Sequence, residues 1–231
     1  MINERDEDRL PPEGFRQRGP APRGTRLLLI RHGECVANAL GLAGGPIGDG
    51  GLTELGRHQA MALARRLAIT RELSNAGAFY TSTLPRAIET GEILFPVINP
   101  GLVAVRDEDL CELAVGEADG LTWAEVQARY QLPDWDVDPS QRNVPGGESL
   151  LDFFARCEGA FERIVGDHPD QLVVMVVHGG VIEQAMKVYQ GLSGGTRLRP
   201  RIENCSMTEI EYHDGAKRLL RYNDLSPIGA E

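Results

Sequence analysis

The 231-residue chain is short of positive charge: 24 Lys and Arg stand against 34 Asp and Glu, for a formal net charge of −10. Nucleic acid and anionic membrane surfaces both need a basic face, so neither is an expected partner. A small anion is still within reach, because a local cationic cluster outweighs the global sign at short range. Cysteine is sparse as well. Cys35, Cys111, Cys157 and Cys205 form no CxxC pair and show no Cys/His spacing that suits zinc, and their scatter fits a reducing compartment. No apolar run approaches membrane-spanning length. The opening "MINERDEDRLPPEG" has no apolar core of a signal peptide, so a cytoplasmic location is expected. There is no internal repeat and no Asp-rich metal constellation.

What is present is ordinary globular material, 42% hydrophobic and 25% charged, enough for one sizeable core. Residues 1–24 are Arg, Asp, Glu, Pro and Gly with almost nothing to bury, and read as a disordered tail. A single domain is expected over 25–225, with a short tail at 226–231. Within it, strands alternate with helices. "RLLLI" is a strand running into a small-residue loop. "LTELGRHQAMALARRLAI" is an amphipathic helix with Thr53 as N-cap and Leu55, Met61, Leu63 and Leu67 as its apolar positions. "AFYTS" and "LVAV" are strands, and "LPRAIETGEIL" is a helix that tolerates Pro85 in its first turn. Thr122 and Glu125 have capping-box spacing. "ESLLDFFARCEGAFERIV" is the longest helix, and "LVVMVV", the most apolar strand, belongs at the centre of the sheet. "SMTEIEYHDG" and "KRLLRYN" form a closing hairpin at the edge. The pattern predicts an α/β fold of three layers, α/β/α, with a mostly parallel central sheet and an antiparallel edge strand. Two loops stand apart: Gln131 to Gly147, long and acidic, and Gly191 to Cys205, with Arg197, Arg199 and Arg201.

In open α/β sheets ligands sit beyond the carboxyl ends of the strands. There "LLLI" delivers Arg31 and His32, "AFYTS" delivers Arg86, and "LVVMVV" delivers His178, followed by Gly179 and Gly180. Two arginines and two histidines at one edge repel each other and call for a multivalent anion; the planar fork of arginine suits phosphate. A neutral imidazole can carry a phosphoryl group, and a second, protonated histidine can bind the phosphoryl oxygens. The leaving oxygen then needs a proton. Glu112 in "LCELAVGEADGLTW", if buried beside apolar residues, can hold one; Glu34 is its rival.

These segments resemble the histidine phosphatase superfamily, also called phosphoglycerate-mutase-like. The resemblance rests on "LLLIRHGECVAN", "LTELGRHQA", "STLPRAIET", "LCELAVGEADGLTW", "PGGES" and "VVMVVHGGVI", in family order. It implies that His32 accepts the phosphoryl group, that Arg31, Arg86 and His178 clamp it, and that Glu112 donates the proton. Asn38 and Gly179 become substrate contacts. Cys35 stands where relatives often carry Ser or Thr. The function implied is metal-independent hydrolysis of a small phosphorylated metabolite, with no cofactor; a homodimer is compatible with it. The alternatives are a cofactor-dependent phosphoglycerate mutase and a non-catalytic phospholigand-binding module. Family mutases tend to carry Asn after the second His-Gly, where Gly180 stands here.

Each residue also has a plainer reading. The histidines could be core residues satisfied by backbone, and the arginines ion-paired with Glu34 or Glu89. Glu112 could be a surface carboxylate, and Asn38 a turn former. Arg197, Arg199 and Arg201 read as a solvated loop in preference to a substrate patch. The cysteines are small core residues, unless Cys35 is exposed beside the cationic cluster, where a thiol would be acidified and alkylated readily.

Overall fold

Four consecutive apolar residues in one strand can all be buried only if both faces of the sheet are covered. That is the arrangement of β1 (Thr25–Arg31). Leu27 and Leu29 enter one core and Leu28 and Ile30 the other. The computed structural model describes residues 24–225. The tails read at 1–24 and 226–231 lie outside the described residues, Gly24 excepted.

The first core lies under α5 (Leu150–Asp167) and α6 (Gly179–Gln190), with Phe153, Phe161, Ile164, Val181 and Ile182 packed on Val173, Met175 and Val177 of β4 (Leu172–Val177). The second lies under α2 (Glu54–Thr70) and α3 (Pro85–Ile98), with Leu63, Leu67, Leu94 and Ile98 packed on Val174 and Val176. The sheet is completed by β2 (Ala76–Thr81), β3 (Ala104–Arg106), β5 (Met207–His213) and β6 (Ala216–Asp224). Its order is β3-β2-β4-β1-β5-β6. The first four strands are mutually parallel, and the β5–β6 hairpin continues the sheet antiparallel to β1. This is the expected α/β architecture, with β4 internal as its composition requires; the antiparallel part holds two strands. Among the described residues no helix is long and apolar enough to cross a membrane.

Local signals hold where a side chain closes a hydrogen bond. Thr53 caps α2 by accepting from Gly56 N, and Thr122 and Glu125 form the capping box of α4 (Trp123–Arg129). Two readings need correction. Leu55 and Met61 are 53% and 39% exposed, while the inward face of α2 is Gly56, Ala60, Leu63 and Leu67. The cause is close approach: a Cβ on Gly33 would lie 2.5 Å from Gly56 O, and one on Gly56 would overlap Glu34 O. The start of α2 therefore meets the end of β1 backbone to backbone, and larger side chains are turned outward. The small-residue loop after β1 also begins with a short helix, α1 (Val36–Leu40), closed by Gly41 in the left-handed conformation.

Candidate active site

Strand register builds the site. Arg31 pairs with Val177 and Thr81 with Val176, so β1, β2 and β4 end level. The residues that follow, His32, Ser82 and His178, are consequently neighbours; the two imidazole centroids are 5.1 Å apart. Both rings are buried, at 3% and 0% exposure.

His32 Nδ1 lies 2.6 Å from Gly33 O. A carbonyl only accepts, so Nδ1 carries the proton and Nε2 keeps its lone pair. Burial, reinforced by Arg86, holds the His32 pKa well below its ordinary value, so the ring is neutral at pH 7. The backbone keeps it in place: His32 N donates to Val177 O and Asn204 Nδ2 donates to His32 O. This is the form and orientation a nucleophile needs.

His178 differs from expectation. Burial, then Arg86, then His32 depress its pKa, so this ring is neutral too. Arg86 Nε donates to Nδ1 at 3.2 Å, which places the proton on Nε2, and Nε2 donates to Ser82 Oγ at 2.6 Å. The expected protonated histidine is corrected to a neutral ring that orients Arg86, because burial, and then the neighbouring Arg86 guanidinium, disfavour a further cation.

Arg86 is 4% exposed and is not paired with Glu89, which instead takes Arg57 Nη1 and Leu52 N. Its Nη1 donates to Gly44 O at 3.0 Å and to Asp49 Oδ2 at 2.5 Å. Asp49, fully buried, also accepts from Arg86 N and Gly51 N through Oδ1. Sequence reasoning missed Asp49 and Ser82. The only available signal was an isolated acid in "GPIGDGG", which reads as a turn.

Arg31 Nη1 donates to Ile202 O at 2.6 Å, not to Glu34, which accepts from Thr53 Oγ1 at 2.8 Å. Arg31 Nε is buried with no partner, and a Cβ on Gly179 would lie 3.8 Å from it. A buried unsatisfied donor costs about 1–3 kcal/mol, which an anionic acceptor would recover. Glu112 joins from the loop after β3. Its Oε2 accepts from Gly180 N in the first turn of α6 at 2.9 Å, and its Oε1 from Leu113 N at 3.0 Å. The expected apolar surroundings are therefore corrected: the half-buried carboxyl group is held by two main-chain N–H groups. Any side chain at position 180 would overlap Glu112 Oε1.

The remaining candidates make contacts outside the cluster. Asn38 is exposed on α1, where Oδ1 takes the Cys35 thiol at 3.1 Å. Cys35 is buried, and burial raises its pKa, so the acidified, reactive thiol is not found. Arg197 and Arg199 face Asp136 of the Gln131–Gly147 loop, and Arg201 pairs with Glu203. A cavity of about 720 Å³ between α2 and the end of β6 contains none of the clustered residues, although Asn204 and Cys205 in its wall bond to the backbone behind His32 and Arg31. Among the described residues no group of three or more His, Cys, Asp or Glu could hold a metal ion.

Comparisons with known proteins find phosphatases and a mutase. The metal-independent phosphoserine phosphatase of Arabidopsis thaliana is 31% identical over 212 residues, covering 89% of this chain and 84% of the relative. The 2,3-bisphosphoglycerate-dependent phosphoglycerate mutase of Brucella melitensis is 33% identical over 177 residues, covering 72% and 82%. A mycobacterial glucosyl-3-phosphoglycerate phosphatase, solved with VO3, superposes with a TM-score of 0.70 at 30% identity, covering 86% of this chain and 98% of that one. The profile of the histidine phosphatase superfamily (branch 1) matches residues 27–225, nearly all of the described chain, and the protein belongs to that family.

Proposed function

We propose that this protein hydrolyses a small phosphomonoester, without metal, through a phosphohistidine on His32. The observation that carries the reading is the tautomer of His32: Nδ1 is tied to Gly33 O, and the ring is kept neutral, so Nε2 offers its lone pair among cationic groups. In the first step Nε2 attacks phosphorus, the bond from phosphorus to the ester oxygen breaks, and that oxygen takes the proton of Glu112. Arg31 and Arg86 carry the charge of the transferring phosphoryl group, with Arg86 aimed by Asp49 and His178; phosphoryl transfer needs positioning and charge stabilisation above all. In the second step water attacks phosphorus, Glu112 takes its proton, the N–P bond breaks, and neutral His32 is restored with inorganic phosphate released. Asn38 and Gly179 are proposed as contacts at the edge of the site.

The relatives include both a phosphatase and a mutase. Gly180 favours hydrolysis, because it stands where family mutases tend to carry Asn. Rapid acid-free quenching during turnover should trap acid-labile, base-stable phosphate on His32, located by tandem mass spectrometry. His32→Ala should abolish both label and turnover. The label should decay in water at least as fast as turnover. A label that persists in water and is discharged only by a phosphoglycerate would establish the mutase, and label on any other residue would overturn the mechanism.

A further inference from the structure

Glu112 sits on an irregular segment, yet a proton donor must be held to a fraction of an ångström. The segment runs from a 3₁₀ turn at Glu108–Leu110 through Cys111 to Ala114. Its rigidity comes from outside. Arg156, on α5, donates from Nη1 to Asp109 O at 2.8 Å and Cys111 O at 3.0 Å, and from Nη2 to Glu112 O at 3.4 Å. Its remaining two N–H groups form a bidentate pair with Glu148, both at 2.7 Å. All five N–H groups of the guanidinium thus have an acceptor, and its Cζ lies 5.1 Å from the Phe153 ring centroid. Glu148 grips the other side of the segment: Oε2 accepts from Ala114 N at 2.9 Å, and Glu148 N donates to Ala114 O.

We propose that the Arg156–Glu148 pair is the positioning device for the proton donor, fixing the backbone on both sides of Glu112 so that its carboxyl group meets the leaving oxygen. The inference rests on the assignment of Glu112 as donor. Stapling α5 to the turn would need one bond, whereas here four directed side-chain contacts fall on the peptide groups of residues 109, 111, 112 and 114, and Glu112 extends from that frame to Gly180 N. Lysine cannot substitute, since an ammonium lacks the planar fork that serves carboxylate and carbonyls together.

The test compares two esters in the full chain. With glycerol phosphate, whose alkoxide needs a proton to leave, Arg156→Lys should lower kcat/KM, which reports formation of the phosphoenzyme alone, by about tenfold to a hundredfold, the range for a misplaced catalytic group. With p-nitrophenyl phosphate, whose leaving group barely needs one, kcat/KM should fall by no more than about threefold. Glu148→Gln, which keeps the shape and loses the charge, should show the same selectivity and serves if Arg156→Lys folds poorly by circular dichroism. Glu112→Gln is measured alongside. If Glu112→Gln is selective for the alkyl ester and neither clasp variant is, whether they lose both activities equally or neither, the positioning role is refuted while the donor stands. If Glu112→Gln is itself unselective, the donor assignment falls and the positioning role falls with it.

Discussion

The two neutral histidines make a quantitative prediction about stability and pH. In the fold, burial and Arg86 push both rings well below their ordinary pKa. In the unfolded chain each returns to about 6.5. Below that pH the unfolded state binds protons that the folded state refuses, so stability is present at neutral pH and is lost as pH falls through about 6.5 towards the folded-state value. For a ring that stays neutral down to pH 5.0, the free-energy difference between pH 7.5 and pH 5.0 reaches its ceiling, RT ln(1 + 10^1.5), about 2 kcal/mol. Two rings give at most about 4 kcal/mol, a ceiling of about 8–16 °C in Tm for a domain of this size. Carboxylates also titrate in this range, so the informative quantity is a difference between variants. Urea unfolding followed by circular dichroism at both pH values should show that His178→Asn, whatever its absolute stability, loses less than wild type on acidification, by up to about 2 kcal/mol. His32→Asn should behave likewise. Equal acid losses in wild type and both variants would refute the neutral-ring description and, with it, the assignment of the His32 lone pair.

Asp49→Asn keeps one oxygen for Gly51 N and Arg86 N but turns an amide N–H towards Arg86 Nη1. Removing one partner of a buried ion pair costs about 3–5 kcal/mol, so thermal unfolding should begin well below wild type, and kcat should fall with it; an unchanged Tm would mean that Asp49 does not anchor Arg86. Iodoacetamide on the native protein should leave Cys35 unmodified and activity intact, because the thiol is buried and its pKa raised; peptide mapping that finds Cys35 alkylated faster than the half-exposed Cys111 would contradict this.

Periodic and terminal signals made the fold readable from sequence. Unbroken apolar runs meant two covered faces, and the rule that ligands meet strand ends located Arg31, His32, Arg86 and His178 together. Capping at Thr53 and Thr122 is local chemistry, visible within three or four residues. What escaped is what depends on distant chain. Asp49 becomes an anchor only because Arg86 N and Nη1 converge on it. Arg156 and Glu148 look like surface charge on a helix and its approach until residues 109–114 are laid across them. Leu55 and Met61 were read inward because periodicity says which residues share a face, not which face comes closest to a neighbouring backbone. The ionisation of His178 escapes for a similar reason: its neutrality comes first from burial and then from Arg86, contributed by α3.

The position of β1 in the sheet has a consequence for synthesis. Leu27, Leu28, Leu29 and Ile30 are at most 1% exposed in the fold, yet their strand pairs only with β4 and β5. Leu27 meets Val173 and Ile210, so the strand carrying the nucleophile has no partner until three quarters of the chain has left the ribosome. Until then a short, apolar, β-prone segment near the N-terminus has both edges open, and closing so long a loop is slow. Prematurely terminated chains that stop before β4 should therefore be ready seeds for aggregation, and slower elongation lengthens that exposure instead of relieving it.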